Sequence, residues 1–136
     1  MFKKIVAAIC ACIVMFAVGK HFLSSTKKSN QELVQIMADA INKDAPRVVD
    51  DVRVEKAIAK DNELMSNYTL INANPGEIDK KVFRDHAYPN LLKQGCSNNE
   101  MSAALNAGII LSYAYHDNQG GEILYVQLTK EVCTNQ

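Results

Sequence analysis

The sequence predicts an α+β fold, a two-layer sandwich of a four-stranded antiparallel sheet with helices on one face. Two pairs of apolar, alternating segments are each joined by polar turn residues, and they predict two β-hairpins. Apolar residues recur at helical spacing before the first hairpin and again between the two. The predicted order is therefore α-ββ-αα-ββ, preceded by an N-terminal hydrophobic signal or anchor helix.

The first residues are predicted to form an export signal. Lys3 and Lys4 precede an uncharged segment from Ile5 to Gly19. A membrane-spanning helix needs about 20 apolar residues and a signal-peptide core about 7–15, so the segment fits either. Residues 1–23 are predicted to be a signal peptide cleaved after Gly19, or a signal anchor crossing the inner membrane through residues 5–23. Cys12 leaves lipidation open as a third outcome, although Cys10 stands where a lipobox carries a small residue.

The remainder divides into a polar linker at residues 24–30 and a single extracytoplasmic α+β domain at residues 31–136. The chain carries 15 Lys and Arg residues and 15 Asp and Glu residues. Loss of residues 1–19 removes two lysines and leaves the domain slightly acidic. This balance provides no basic field, so nucleic acid is not an expected partner.

The first half of the domain is predicted to hold a helix and a hairpin. The helix runs to about Asp44, with Ser29 or Asn30 as its cap, and Pro46 marks its end. Its apolar face consists of Leu33, Ile36, Met37, Ala40 and Ile41, with Val34 at the margin. Residues 48–59 and 64–72 are predicted to be strands joined by a turn at residues 60–63.

The second half is predicted to hold two helices and a hairpin. Glu77 and Asp79 mark the start of a helix that kinks near Pro89 and ends at Gly95. Ser97 and Glu100 fit a capping box for a short second helix, which Gly108 terminates. Residues 109–116 and 123–128 then alternate as strands, and residues 117–121 reverse the chain.

Few side chains are candidates for catalysis or metal binding. None of His21, His86 and His116 has a second ligand at metal-binding spacing, so we expect no metal, cofactor or catalytic group. No small-molecule substrate is indicated. Cys96 with His86 or His116 supports an alternative, a small envelope hydrolase or thiol-redox protein.

Cys96 precedes the short helix and Cys133 follows the last strand. If these two cysteines pair, they close a loop of 37 residues across the hairpin; otherwise they are free, buried thiols of a reducing compartment. The tyrosines leave a second alternative open. Tyr68, Tyr113, Tyr115 and Tyr125 form either core and cross-strand contacts or an exposed surface for a protein partner.

Several residues between positions 48 and 133 resemble those of small, largely uncharacterised exported proteins of Gram-negative bacteria. The similar positions are Tyr68-Thr69-Leu70-Ile71-Asn72, Pro89-Asn90-Leu91-Leu92, Cys96, Met101, Gly108, Tyr113-Ala114-Tyr115, Asp117 and Cys133. The chain departs from this group at Asp51, where the group usually carries lysine. The resemblance implies a periplasmic α+β domain with a Cys96–Cys133 bridge, and it implies no catalytic residue.

The sequence therefore predicts a non-enzymatic interaction domain, either periplasmic or tethered to the inner membrane. Its small size, its tether and its lack of an active-site constellation are typical of accessory, exclusion or immunity proteins. We expect its partner to be another protein of the cell envelope.

Overall fold

The computed structural model describes residues 29–135. Within them the chain forms four helices and six strands. In chain order these are α1 (Asn30–Asn42), β1 (Arg47–Val49), β2 (Val52–Val54), β3 (Ile58–Lys60), β4 (Glu63–Leu70), α2 (Lys80–Ser97), α3 (Asn99–Asn106), β5 (Ile110–His116), β6 (Glu122–Leu128) and α4 (Lys130–Thr134).

All six strands belong to one sheet, in the order β1-β2-β4-β5-β6, with β3 also beside β4. Strands β4 and β5 are parallel, and the other pairs are antiparallel. The α+β class is confirmed, but the expectation of four antiparallel strands is wrong. Because α2 and α3 connect β4 to β5, the chain crosses over before it enters β5, and the two strands run in the same direction.

The helices cover one face of this sheet. In β4, β5 and β6 the side chains on that face are buried, and they join buried side chains of α1, α2 and α3 in one hydrophobic core. Tyr115 lies at its centre, fully buried, with its ring 4.9 Å from that of Tyr68 and 5.6 Å from that of Phe83 in α2. The other face carries no helix among the described residues, and we call it the open face.

Helix α1 begins as its sequence predicts. The Ser29 hydroxyl accepts a hydrogen bond from the Glu32 amide at 3.2 Å, which satisfies one of the unpaired donors of the first turn. The buried side of the helix comprises Val34, Met37 and Ala38, whereas Ala40 is exposed. Val34 is thus central to the buried side, and the helix is rotated slightly from the orientation predicted.

Helix α2 is longer than predicted, because neither Pro89 nor Gly95 ends it. Pro89 has no backbone N–H to donate within the helix. In the same turn the Asn90 side chain donates a hydrogen bond to the His86 carbonyl at 3.0 Å. Gly95 lies where α2 crosses β6, and a Cβ added there would stand 2.5 Å from Leu128 Cδ1. Its role is therefore close packing of the helix on the sheet.

The cap of α3 is shifted by one residue from the predicted capping box. Ser97 is the last residue of α2, and the Asn98 side chain accepts from the amides of Glu100 and Met101 at 3.0 and 3.1 Å. Gly108 follows the helix with a φ of +94°, as a helix-terminating glycine requires. The hairpin of β5 and β6 then occupies the predicted residues.

The single strand predicted at residues 48–59 is three short strands in the structure. Asp50, with a φ of +54°, turns β1 back onto β2. Between β2 and β3 the register with β4 shifts by one residue. The Asn42 side chain fixes this bulge, since it donates to the Ala57 carbonyl at 3.0 Å and accepts from the Ala57 amide at 2.7 Å. The bulge reverses the direction of the following side chains, and Ile58 lies on the open face.

The predicted signal or anchor at residues 1–23 lies outside the described residues, as does most of the predicted linker. Ser29 and Asn30 are described, and they begin α1 instead of belonging to the linker. None of the helices within residues 29–135 has both the length and the apolar character needed to cross a bilayer.

Candidate functional site

The open face is the largest surface of the sheet that the described helices leave uncovered. Alternate residues of β2 to β6 point to it, because successive side chains of a strand point to opposite faces. They are Arg53, Ile58, Lys60, Glu63, Met65, Asn67, Thr69, Ile110, Ser112, Ala114, His116, Tyr125 and Gln127.

One end of the open face holds a hydrogen-bonded cluster around the Glu63 carboxylate. Its Oε2 accepts hydrogen bonds from the Ser112 hydroxyl, from Gln127 Nε2 at 3.0 Å and from the Tyr125 hydroxyl at 3.4 Å. Gln127 Nε2 also donates to the Tyr125 hydroxyl at 3.0 Å. We call Glu63, Ser112, Tyr125 and Gln127 the Glu63 cluster. It holds the Tyr125 ring in place, although 38% of the residue is exposed.

The other end of the open face is a shallow depression of about 630 Å³. Its lining residues are Pro46, Glu55, Lys56, Asn67, Thr69, His116 and Gly120. Glu55 Oε2 accepts from Thr69 Oγ1 at 2.6 Å and from Arg53 Nε at 2.8 Å, so the carboxylate is held against the sheet. Glu55 and Lys56 carry opposite charges, so the depression has no single sign of charge.

On the side of β3 and β4 the open face carries an apolar patch between its two ends. Ile58 is 54% exposed and borders Met65 on the neighbouring strand. Ala114 and Ser112 in the middle of β5 are 4% and 0% exposed, so the accessible apolar surface here is that of Ile58 and the half-buried Met65. An apolar patch with charged groups at both ends is the arrangement found in protein–protein interfaces.

The two carboxylates on this face have lowered pKa values. The Ser112 hydrogen bond is the main cause for Glu63, and the bonds from Gln127 and Tyr125 add to it, so its pKa falls below the ordinary 4.5 despite partial burial. Partial burial raises the pKa of Glu55, but the Thr69 and Arg53 hydrogen bonds and the Arg53 charge outweigh it and the pKa is lowered. Both carboxyl groups are therefore ionised at a lower pH in the folded protein than an ordinary glutamate would be.

Stability should therefore depend on the ionisation of Glu63. A carboxylate whose pKa is lower in the folded state contributes stability above its unfolded pKa and loses it as the pH falls through the folded value. We expect the free energy of unfolding, measured with urea from about pH 7 to pH 3, to decrease below about pH 4.5. Glu63→Gln should flatten that decrease. An unchanged pH profile for Glu63→Gln would contradict this role.

Three of the four tyrosines lie in the core, which is the first of the two alternatives that the sequence left open. Tyr68, Tyr113 and Tyr115 are 4%, 2% and 0% exposed and point toward the helices. Burial raises the pKa of the Tyr113 hydroxyl well above its usual value, as the loss of hydration disfavours a phenolate. Tyr125 alone of the four lies on the open face, because it pairs with Ala114, whose side chain points to that face.

The alternative site of Cys96, His86 and His116 is not assembled. Cys96 in α2 and Cys133 in α4 form a disulfide, with Cα atoms 5.5 Å apart, so Cys96 is not a free thiol in this structure. His86 is exposed on α2, which packs on the covered face of the sheet, whereas His116 lies on the open face. The sheet thus separates the two histidines. Within residues 29–135 no three His, Cys, Asp or Glu side chains are placed to hold a metal ion.

No pattern in the sequence marks Glu63, Ser112, Gln127 or Ile58 as a site residue. The three polar ones meet only because β4, β5 and β6 are neighbours, and Glu63 and Gln127 are 64 positions apart in the chain. The one local signal was a glutamate at the start of a strand that carries no other charge. Ile58 carried no signal, since the bulge that exposes it depends on Asn42 of another element.

Comparison with known proteins finds similarity in structure only. No protein-family model and no curated protein matches the chain. A protein of Pseudomonas aeruginosa, provisionally assigned as secreted, matches with a TM-score of 0.65 and 16% identity over 76% of this chain and 92% of the other.

Two pilotins of type II secretion systems also match. EpsS of Vibrio vulnificus gives a TM-score of 0.64 with 13% identity, over 79% of this chain and 94% of the pilotin. AspS of Vibrio cholerae gives 0.57 with 18% identity, over 76% and 92%. This chain therefore has the fold of these secreted and pilotin structures.

Proposed function

We propose that this chain is a non-enzymatic interaction domain of the Gram-negative cell envelope that binds another envelope protein through its open face. The observation that carries the proposal is the open face itself, a sheet surface with an apolar patch at Ile58 and Met65 and with fixed polar groups at both ends. The likeness in fold to pilotins of type II secretion systems supports an accessory role within an envelope assembly. Exclusion and immunity proteins, which also act by binding another envelope protein, are included in this proposal.

The geometry supports binding by a preorganised surface. The Glu63 cluster fixes Tyr125, and Thr69 with Arg53 fixes Glu55, before any partner arrives. Side chains that are already ordered lose less conformational entropy when a partner binds. Aromatic residues and partly exposed aliphatic residues such as Tyr125 and Ile58 provide the apolar contact area that interfaces require.

The proposal places the domain on the periplasmic side of the inner membrane. It is then either tethered through residues 5–23 or released after cleavage of the signal. The Cys96–Cys133 disulfide supports this compartment, since such bonds persist where the environment is oxidising. It also argues against the thiol-redox alternative, which needs a thiolate at Cys96.

Photo-crosslinking of the full chain in its native envelope tests this function. A benzophenone amino acid at Ile58 or at Met65 should give a covalent adduct with one second protein of defined mass, because these positions form the apolar patch of the open face. The same group at Val82, which is 43% exposed on α2, is the matched control and should not give that adduct. Identical adducts from all three positions, or none from Ile58 and Met65, would contradict the proposal.

A further inference from the structure

The two carboxylates described on the open face already have hydrogen-bond donors within the sheet. Glu63 accepts from three side chains of the Glu63 cluster, and Glu55 accepts from Thr69 and Arg53. Hydrogen bonds to an ionised group are among the stronger ones in proteins, so these bonds hold each carboxylate in place. Both negative charges are thus already met by donors of the sheet itself.

The positive charges of the open face are more accessible. Arg53 belongs to β2, Lys60 to β3, and Lys56 to the bulge between them, where it lines the depression. All three residues are exposed. Lys56 and Lys60 form no ion pair within residues 29–135. Arg53 donates to Glu55 through its Nε, so the two terminal nitrogens of its guanidinium group remain for another carboxylate.

Two aliphatic side chains lie among these cations. Val48 of β1 is 57% exposed and stands opposite Arg53 in the register, so it points to the open face as well. Ile58 lies between Lys56 and Lys60 in the chain. In the described part of the chain Val48 and Ile58 are the most exposed of the large hydrophobic residues. We call Val48, Arg53, Lys56, Ile58 and Lys60 the basic margin.

The exposed carboxylates around the basic margin lie in turns or on a distant strand. Asp50 and Asp61 belong to the turns before β2 and after β3, and both have a positive φ. Glu122 is on β6, three strands from β2 and therefore about 14 Å away. Exposed charges more than about 8 Å apart are largely screened at physiological ionic strength. The charge that the basic margin presents to a partner is therefore positive.

We propose that the segment of the partner that docks on the open face is acidic and amphipathic. Its carboxylates contact Arg53, Lys56 and Lys60, and its apolar side chains contact Val48 and Ile58. This inference rests on the proposed function and adds the chemistry of the partner. Complementary charges around an apolar contact raise the association rate and exclude partners of the same sign.

The length of the basic margin sets the length of this segment. Arg53 pairs with Thr69 and Lys60 pairs with Glu63, so the two cations are separated by six residues of β4, or about 20 Å. A partner segment that contacts both cations needs about seven residues if it is extended, or about 13 if it is helical. One short segment of a partner is therefore long enough to cover the margin.

Charge reversal tests the acidic segment in the native envelope. The full chain carries the benzophenone amino acid at Met65, which lies beside the basic margin and leaves its residues unchanged. Lys56→Glu combined with Lys60→Glu should lower the adduct yield on the order of tenfold, because two attractive charges become repulsive. The matched control is Lys43→Glu with Lys93→Glu, which makes the same change of net charge at exposed lysines at the end of α1 and in α2. It should leave the yield unchanged.

Salt provides a second measurement that needs no charge variant. In an envelope extract, raising the NaCl concentration from about 0.1 M to about 1 M shortens the Debye length from about 10 Å to about 3 Å. The Met65 adduct of the otherwise unmodified chain should fall severalfold, and that of the Lys56 and Lys60 reversal should fall no further. Urea unfolding shows whether the reversed chain has kept its stability.

An adduct that survives the double reversal, or that the control reduces equally, would overturn the acidic segment and leave the proposed function in place. If the double reversal unfolds the domain, the salt series decides, and a yield independent of salt would overturn the segment. An absent adduct at Met65 in the otherwise unmodified chain would instead contradict the proposed function, and this inference with it.

Discussion

Tyr115→Ala is expected to lower the free energy of unfolding by about 3–5 kcal/mol, because it removes a fully buried aromatic side chain from the centre of the core. The loss includes the stacking of its ring on Tyr68 and the edge contact with Phe83. The cavity left behind has walls from both the sheet and α2, which belong to different layers and do not close easily on it. Urea unfolding followed by circular dichroism measures the change.

Tyr125→Ala is the matched control for that variant. The two tyrosines lie on neighbouring strands of the same sheet but face opposite sides, and Tyr125 is 38% exposed. Its replacement removes hydrogen bonds of the Glu63 cluster and little buried area, so a loss of at most about 1 kcal/mol is expected. Comparable losses for Tyr115→Ala and Tyr125→Ala would contradict the assignment of Tyr115 to the core and of Tyr125 to the open face.

Loss of the disulfide is the second large effect. Cys96→Ser and Cys133→Ser should each reduce the free energy of unfolding by about 2–4 kcal/mol, since the bond closes a loop across 37 positions and restricts the unfolded chain. The bond also ties the short helix α4 to α2. Chemical unfolding of each variant under oxidising conditions provides the measurement.

The double variant distinguishes a shared bond from two separate thiols. Cys96→Ser with Cys133→Ser should be no less stable than either single variant, because both substitutions remove one interaction. Cys10→Ser and Cys12→Ser should leave the stability of the described domain unchanged. Singles of very different size, with a double that equals their sum, would mean that the two cysteines contribute separately.

The experiments on stability and on binding address different surfaces. Tyr115 and the disulfide stabilise the layer that contains the helices, whereas Ile58 and Met65 are expected to contact a partner on the open face. A variant at Ile58 that loses its partner while it keeps its stability therefore supports the proposed function.

Local patterns in the sequence were sufficient for much of the secondary structure. The serine cap and apolar spacing of α1, the C-terminal hairpin and the helix-ending Gly108 depend on residues within a few positions of one another. The same holds for Asp79, whose side chain accepts from the Val82 amide at 3.0 Å at the start of α2. The sequence pattern was ambiguous at Pro89 and Gly95, either of which can end a helix. Both lie within α2, and Gly95 is the point at which that helix packs on Leu128.

The sequence by itself determined the α+β class, the two hairpin regions and a cysteine pair able to bracket the last third of the chain. Only the tertiary structure decided which face of each strand is covered, and with it the burial of three tyrosines and the exposure of the fourth. Period-two alternation indicates that the two faces of a strand differ. Which of the two faces the helices cover depends on the crossover from β4 to β5. The Glu63 cluster and the exposure of Ile58 both follow from contacts between residues far apart in the chain, which no local pattern encodes.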